Sequence, residues 1–270
     1  MKRMLMATAG VALLLIVLPT SVDAGAPAAG NVTVVHGLGD ADGENPVDVY
    51  VRVNGSGDQF GLIIEGIDDD FGYGAIATLG SLPADDYDVL LCTAADNPSA
   101  LIDDCSDNEE VAVNGNSGNV ASVPEADEVV LFAGIGESTR PEVLVFVPDL
   151  SCVEGADNGR ATAAHAADAG PVTVSVAGTP VIENLANGET SALDVPAGSY
   201  EVNVSDGGAL NLDATLPVTA LQNTMAYVTG DPDMEDEYTV LTQAFALEAC
   251  PVETTTTAAV QQTTQPRFTG

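Results

Sequence analysis

The chain has no tryptophan, and only 4% of its 270 residues are aromatic. Basic residues are also scarce, because six Lys and Arg stand against 41 Asp and Glu, giving a formal net charge of −35 at pH 7. Proteins that bind nucleic acids or anionic lipid surfaces depend on Lys and Arg to neutralise phosphate groups. We therefore exclude nucleic acids and anionic membranes as direct partners.

A sustained helical period is missing as well, although 46% of the residues are hydrophobic. The apolar residues occur in short runs bounded by Gly, Pro, Asn and Asp, which is typical of strands. In VDVYVRV (Val47–Val53) apolar and polar residues alternate, which predicts a strand with one face in the core and one in water. Many short strands separated by turn residues predict an all-β chain built from β-sandwiches.

The N-terminus has the pattern of a secretory signal peptide. The basic pair Lys2-Arg3 is followed by the apolar run Met4–Leu18 and then by small residues, so we predict cleavage between Ala24 and Gly25. An uncleaved membrane anchor is the alternative, although a run of about 15 residues is short for a membrane span. Cleavage leaves a mature chain without lysine, and the pattern predicts an extracellular protein, secreted or attached to the cell surface.

An internal repeat organises the rest of the chain. VTVVHGLGDADGENPVDVYV (Val32–Val51) parallels ATAAHAADAGPVTVSV (Ala161–Val176), each with a strand ending in His, an acidic loop, a Pro and an alternating strand. Further on, SLPADDYDVLL (Ser81–Leu91) parallels DVPAGSYEVNV (Asp194–Val204). Such self-similarity indicates two copies of one structural unit.

The repeat and the composition divide the chain into six segments. We predict a signal peptide at 1–24, a short linker at 25–30, a first β-sandwich at 31–150, a linker at 151–157, a second β-sandwich at 158–250 and a Thr-rich tail at 251–270. The tail has few large apolar residues, so we expect it to be a disordered stalk or linker.

The repeated motifs also carry a family resemblance. A strand ending in His, an Ala/Asp loop, a Pro-Val-x-Val-x-Val strand and LPAGxY-like text resemble the domain of unknown function 4397, a family of exported bacterial and archaeal β-domains often found in tandem. The second repeat, from Gly178 to Val204, is the closer match, whereas Asp85-Asp86 of the first repeat stands where the second has Gly198-Ser199. The resemblance implies an immunoglobulin-like sandwich at the cell surface and supplies no catalytic residues.

Four cysteines in a chain with an export signal suggest two disulfides, and the sequence alone permits three pairings. We favour Cys92–Cys105, which would tie one loop, and Cys152–Cys250, which would join the two ends of the second repeat. A metal site is the competing interpretation, but the chain has no CxxC pair and neither His is near a Cys in the sequence.

Motifs for catalysis are missing from the sequence. It contains no GxSxG, no HExxH and no phosphate-binding Gly loop. His36 and His165 occupy equivalent positions in the two repeats, which favours a structural role such as hydrogen bonding to the following acidic loop. We therefore expect no enzyme, and a secreted hydrolase that uses paired carboxylates is the alternative because acidic residues are abundant.

Calcium is the cofactor that the acidic loops could hold, since Ca²⁺ prefers carboxylate and carbonyl oxygens on flexible loops. A solvated acidic surface is the alternative, and no other cofactor is expected. The candidate ligands are Asp40, Asp42, Glu44, Asp68, Asp69 and Asp70.

These features together predict an exported, non-catalytic β-sandwich protein, structural or adhesion-type, with a cell-wall or other surface partner. The alternative is a secreted hydrolase or a calcium-dependent binding module that uses the acidic loops of the first domain. The scarcity of aromatic residues disfavours the ring platforms on which sugars stack.

Overall fold

A computed structural model describes residues 31–37, 46–64, 71–94, 101–105, 110–113, 121–135, 141–230 and 238–251. Within these ranges every regular element is a β-strand, as the sequence predicts. The described residues include no helix that is long and apolar enough to cross a membrane. The predicted signal peptide and all but the first residue of the predicted tail lie outside them.

The strands fall into two consecutive sets. The first set is β1 (Asn31–His36), β2 (Val47–Val53), β3 (Phe60–Ile64), β4 (Ile76–Gly80), β5 (Asp85–Thr93), β6 (Leu101–Ile102), β7 (Glu110–Val113), β8 (Ala121–Val123), β9 (Glu128–Ile135) and β10 (Pro141–Phe146). The second set is β11 (Asn158–Ala167), β12 (Val172–Val176), β13 (Thr179–Leu185), β14 (Thr190–Pro196), β15 (Gly198–Ser205), β16 (Asn211–Val218), β17 (Gln222–Gly230) and β18 (Tyr238–Ala246).

Each set forms two sheets that pack face to face. The first set makes an inner sheet, β10-β9-β1-β4, and an outer sheet, β6-β3-β2-β5-β7, in which β8 also pairs with β5. The second set makes an inner sheet, β14-β11-β17-β18, and an outer sheet, β13-β12-β15-β16. In both inner sheets the first strand runs parallel to its neighbour, β1 beside β9 and β11 beside β17. The chain therefore contains two tandem immunoglobulin-like β-sandwiches, here called sandwich one and sandwich two.

The two inner sheets also pack against each other. The Phe132 and Tyr227 rings stack with their centroids 4.8 Å apart, and the Thr229 hydroxyl donates to the Gly37 carbonyl at 2.8 Å. The buried apolar residues of this joint core are Val35, Val130, Phe132 and Phe146 from sandwich one and Ala164, Ala166, Met225, Tyr227 and Phe245 from sandwich two. The inner sheets are therefore covered on both faces, and the four sheets form one layered stack.

Small residues allow the inner sheets to approach closely. Ala164 and Ala166 of β11 are fully buried in the joint core. On the facing strand β9, a Cβ added to Gly134 would lie 3.0 Å from the carbonyl oxygen of Ala166, tighter than an ordinary contact. A larger residue at either place would push the two sandwiches apart or disturb the aromatic rings beside them.

The expectation that Val47–Val53 is half solvated is wrong. Asp48 and Tyr50, on its predicted water face, are 0% and 2% exposed. Tyr50 belongs to a second small apolar cluster that contains Cys92 and Cys105. Cys105 and Ile102 pack against this outer face of the sheet, which alternation within one strand does not reveal.

Both predicted disulfides are present, Cys92–Cys105 and Cys152–Cys250. The second one anchors the predicted linker 151–157, because Val153 forms a β-bridge with Ala249 beside it.

The buried guanidinium of Arg160 on β11 binds the segment that leads into sandwich two. It binds the Asp194 carboxylate through Nε at 2.7 Å and the Asp149 carboxylate at 2.9 Å. It also donates to the carbonyl and hydroxyl oxygens of Ser151. The segment that enters sandwich two is therefore tied to it by charge as well as by the disulfide.

Candidate functional site

The six candidate calcium ligands lie outside the described residues, so the calcium site stays a prediction. They are Asp40, Asp42, Glu44, Asp68, Asp69 and Asp70. In the described part of the chain, no group of three or more His, Cys, Asp or Glu residues is placed to hold a metal ion.

His165 has the structural role expected from the repeat. Its Nδ1 accepts from the Ala167 amide at 3.3 Å and its Nε2 lies 3.0 Å from the Gly170 carbonyl. These partners require a neutral ring that carries its proton on Nε2. Burial lowers the pKa of His165, against the opposing effects of the Gly170 bond and the Asp206 charge. The imidazole therefore fastens the loop that follows its strand.

The repeated tyrosines form matching corners. The Tyr87 hydroxyl donates to the Pro83 carbonyl at 3.0 Å, and the Tyr200 hydroxyl donates to the Pro196 carbonyl at 2.7 Å. In immunoglobulin-like sandwiches such a bond fixes the backbone before a core strand. Both tyrosine side chains therefore have a structural role in the fold.

The described residues also enclose a cavity, and it lies in sandwich two. It has a volume of about 360 Å³ and occupies the space between the inner and outer sheets. None of its lining residues is charged, and most are Ala, Val, Leu or Ile. The hydroxyl-bearing residues of the lining are Tyr200, Thr215 and Thr242.

The cavity exists because sandwich two carries smaller side chains at equivalent positions. With the histidines that end β1 and β11 aligned, Val32 and Val34 of β1 correspond to Ala161 and Ala163 of β11. The valines are buried in the core of sandwich one, whereas both alanines line the cavity. The difference is visible in the sequence as VTVVH against ATAAH. It can be interpreted as a loss of core volume only when the structure shows which of these positions face inward.

The neighbouring strands repeat the difference. Val34 lies beside Leu131 of β9, and its counterpart Ala163 lies beside Ala226 of β17. Leucine is therefore replaced by alanine at the centre of the inner sheet. Two further pairs change from an aliphatic to a hydroxyl side chain, Val129 to Thr224 and Val145 to Thr242.

The loss of side-chain volume divides the core of sandwich two. Between its two sheets, sandwich one has one large apolar cluster. Sandwich two has two smaller clusters there, and residues of both line the cavity. At about 24 cal/mol per Å³, a closed and empty void of this volume would cost on the order of several kcal/mol. That is a large part of the net stability of a domain, about 5–15 kcal/mol.

The cavity reaches solvent at both edges of sandwich two. At one edge the exposed lining residues are Val181 of β13 and Leu193 of β14, which are 39% and 38% exposed. At the other edge Thr215 of β16 and Thr242 of β18 are exposed. There the Thr215 hydroxyl donates to the Glu201 carboxylate at 3.1 Å. Because Thr215 pairs across the strands with Glu201, between the inward pairs of Tyr200 and Val202, its hydroxyl is on the outer face of the sheet. The cavity is therefore a slot with one apolar mouth and one mouth beside the Thr242 hydroxyl.

No protein-family model and no curated protein matches the chain. Among solved structures it is similar to the Bacillus anthracis TIE protein, with 13% identity and a TM-score of 0.22 over 76% of this chain and 34% of that one. It is also similar to the C-terminally truncated tip fimbrial protein Mfa3 from Porphyromonas gingivalis, with 7% identity and a TM-score of 0.24 over 82% of this chain and 100% of that one. Similarities this weak assign neither a function nor a partner.

Proposed function

We propose that the protein is an exported, non-catalytic β-sandwich module, structural or adhesion-type, which works at the cell surface or as a secreted protein and meets a cell-wall or other surface partner. The joint core carries this proposal. It fuses two sandwiches into one unit through the Phe132–Tyr227 stack and the Thr229–Gly37 hydrogen bond. Tandem domains packed in this way resist bending, which suits a module that holds a surface away from the cell.

The cysteines support an extracellular location. All four are joined in disulfides, and such bonds form and persist in oxidising compartments. The signal-peptide pattern at the N-terminus supports the same location independently. The recurrence of the proline–tyrosine corner in both sandwiches supports the further proposal that each is a member of the domain of unknown function 4397 family.

Fractionation of expressing cells tests the location. We expect the protein in the medium or on intact cells, with its N-terminus at Gly25 and its cysteines resistant to alkylation before reduction. Protein with an intact Met1, retained inside the cell with four free thiols, would contradict the proposal. A hydrolase screen tests whether the protein is non-catalytic. Substrate turnover that is abolished by mutation of Asp40 or Asp68 would overturn this part of the proposal.

Calorimetry tests whether the two sandwiches act as one unit. We expect a single cooperative unfolding transition for the whole chain. Phe132→Ala should split it into two transitions, because Phe132 packs across the joint core. Phe71→Ala is the matched control, since Phe71 is equally buried but belongs to the core of sandwich one alone. Two independent transitions in the unmodified protein would contradict a rigid unit.

A further inference from the structure

The cavity of sandwich two has the size and lining of a ligand site. Pockets that bind small molecules have volumes of about 300–1,000 Å³ and are lined mainly by apolar side chains with a few polar groups. An apolar cavity of about 150 Å³ is already large enough to hold benzene. The cavity here, at about 360 Å³, is more than twice that volume.

The lining excludes charged ligands. The protein carries 41 acidic residues, yet none of them lines the cavity. A charged group placed inside would lose its hydration without gaining an ionic partner. The slot therefore suits a molecule that is mainly hydrocarbon.

The two mouths constrain the shape and the polar end of that molecule. A slot open at the edges beside Val181 and Thr242 admits an elongated molecule that is longer than the enclosed space. At the other mouth, Thr242 lies opposite the cavity-lining Ala226, and its hydroxyl can hydrogen-bond a hydroxyl group.

We propose that sandwich two binds an elongated, uncharged lipid-like molecule, with its hydrocarbon body between Ala163 and Ala226 and a neutral hydroxyl end beside Thr242. This activity goes beyond the proposed structural role and does not depend on it. The chain's own C-terminal segment, 252–270, is a poor occupant because it consists mostly of Thr, Gln and other small or polar residues.

Binding of a neutral fluorescent hydrocarbon, N-phenyl-1-naphthylamine, tests the proposal in the intact mature protein. We expect a saturable rise in fluorescence as the probe enters the slot. Ala226→Leu installs the residue that sandwich one has at the equivalent position, and it should weaken binding at least about tenfold. Ala163→Val should also weaken probe binding. This substitution serves as the second variant if Ala226→Leu does not fold.

Ala192→Val is the matched control. Ala192 is exposed on β14 and does not line the cavity, so the added methyl groups should leave probe affinity unchanged. Probe binding that is absent, or equally tight in Ala226→Leu, Ala163→Val and the unmodified protein, would overturn the proposal.

Competition identifies the polar end of the ligand. We expect dodecanol to displace the probe at a concentration at least about tenfold lower than dodecanoate, which has the same chain length and a negative charge. Equal displacement by the two would overturn the assignment of a neutral head. Light scattering provides a further check, because a protein that takes up no probe but forms dimers or polymers would point to a strand of a second copy in the slot instead.

Discussion

Sandwich one and sandwich two share a strand order in their inner sheets but fill their interiors differently. In sandwich one a single cluster that includes Val34, Leu131 and Phe71 closes the space between the sheets. In sandwich two Ala163 and Ala226 stand where Val34 and Leu131 do, and the space remains open. A conserved backbone register can therefore support either a packed core or a binding slot, depending on a few side-chain volumes.

The face of the inner sheets toward the joint core keeps its central aromatic pair. There, Phe132 of sandwich one and its counterpart Tyr227 of sandwich two are both large, fully buried aromatic residues. The volume on this face still changes in part, because Val35 of sandwich one corresponds to Ala164 of sandwich two. On the slot face the reduction is not uniform, since Ala133 corresponds to the larger Val228.

The largest expected effect comes from the disulfides. Cys152–Cys250 closes a segment of 98 residues around the divided core of sandwich two, and Cys92–Cys105 closes one of 13 residues. Loop-closure entropy predicts a loss of about 4–5 kcal/mol for the Cys152→Ala/Cys250→Ala pair and about 3 kcal/mol for the Cys92→Ala/Cys105→Ala pair. Urea titration of both double variants measures the difference. An equal loss of unfolding free energy would show that the longer bridge does not stabilise the protein more than the shorter one.

Giving each sandwich the central core residue of the other should change the free energy of unfolding in opposite directions. Leu131→Ala removes a fully packed side chain from sandwich one, and we expect it to lower the free energy of unfolding by about 2–5 kcal/mol. Ala226→Leu fills space in sandwich two and should raise the free energy by about 0.5–2 kcal/mol. Thermal denaturation checks both changes. A destabilising Ala226→Leu would mean that the slot has no room for the added side chain.

The tyrosine corners should differ by a smaller amount. Tyr87 is 3% exposed whereas Tyr200 is half-buried, so Tyr87→Phe should cost more than Tyr200→Phe, about 1–2 against about 0.5–1 kcal/mol. Denaturant titration at neutral pH measures the two losses, and a larger loss for Tyr200→Phe would reverse the expected order.

The raised pKa of Tyr87 leads us to expect that the protein loses stability at alkaline pH. Burial, with a smaller effect of the Asp85 charge, raises the pKa of Tyr87 from 10.0 to about 12. Between these values the unfolded chain loses the proton and the folded chain keeps it, so the free energy of unfolding falls as the pH rises. The stability difference between the unmodified protein and Tyr87→Phe should therefore shrink in that range. A constant difference would show that the hydroxyl titrates normally.

The smallest expected effect concerns His165. Because burial lowers its pKa from 6.5, the unfolded chain takes up a proton at a higher pH than the folded chain does. Stability from the neutral ring is therefore present above pH 6.5 and is lost as the pH falls below it. The stability of the unmodified protein relative to His165→Gln should decrease over that range. This comparison cancels the titration of the many carboxylates, and a difference independent of pH would contradict a buried neutral ring.

Much of the fold could be predicted from the sequence, because alternation and turn residues are local signals. The repeat is visible in the matching motifs, and both favoured disulfides are present, although the sequence alone permits three pairings. Strands β4, β6, β8, β14 and β16 were not predicted, because they are short or, like Asn211–Val218, mix apolar and polar side chains without a continuous apolar run. These segments form strands because they pair with neighbouring strands, although their own β-propensity is low.

The joint core and the slot could not be predicted, because both depend on which faces meet. Ala164 and Ala166 lie on a strand whose alanine-rich sequence does not distinguish a contact between sheets from a weakly packed surface. The alanines that line the slot alternate with them along the same strand. Only the sheet register assigns Ala163 to the slot and Ala164 to the joint core.

Diffraction from crystals pressurised with xenon tests most directly whether side-chain volume has opened sandwich two and left sandwich one closed. Xenon enters apolar cavities and is visible by its electron density. We predict xenon between Ala163 and Ala226 in sandwich two, no xenon between Val34 and Leu131 in sandwich one, and loss of the density in Ala226→Leu. Xenon missing from sandwich two, or present equally in both sandwiches, would contradict this account.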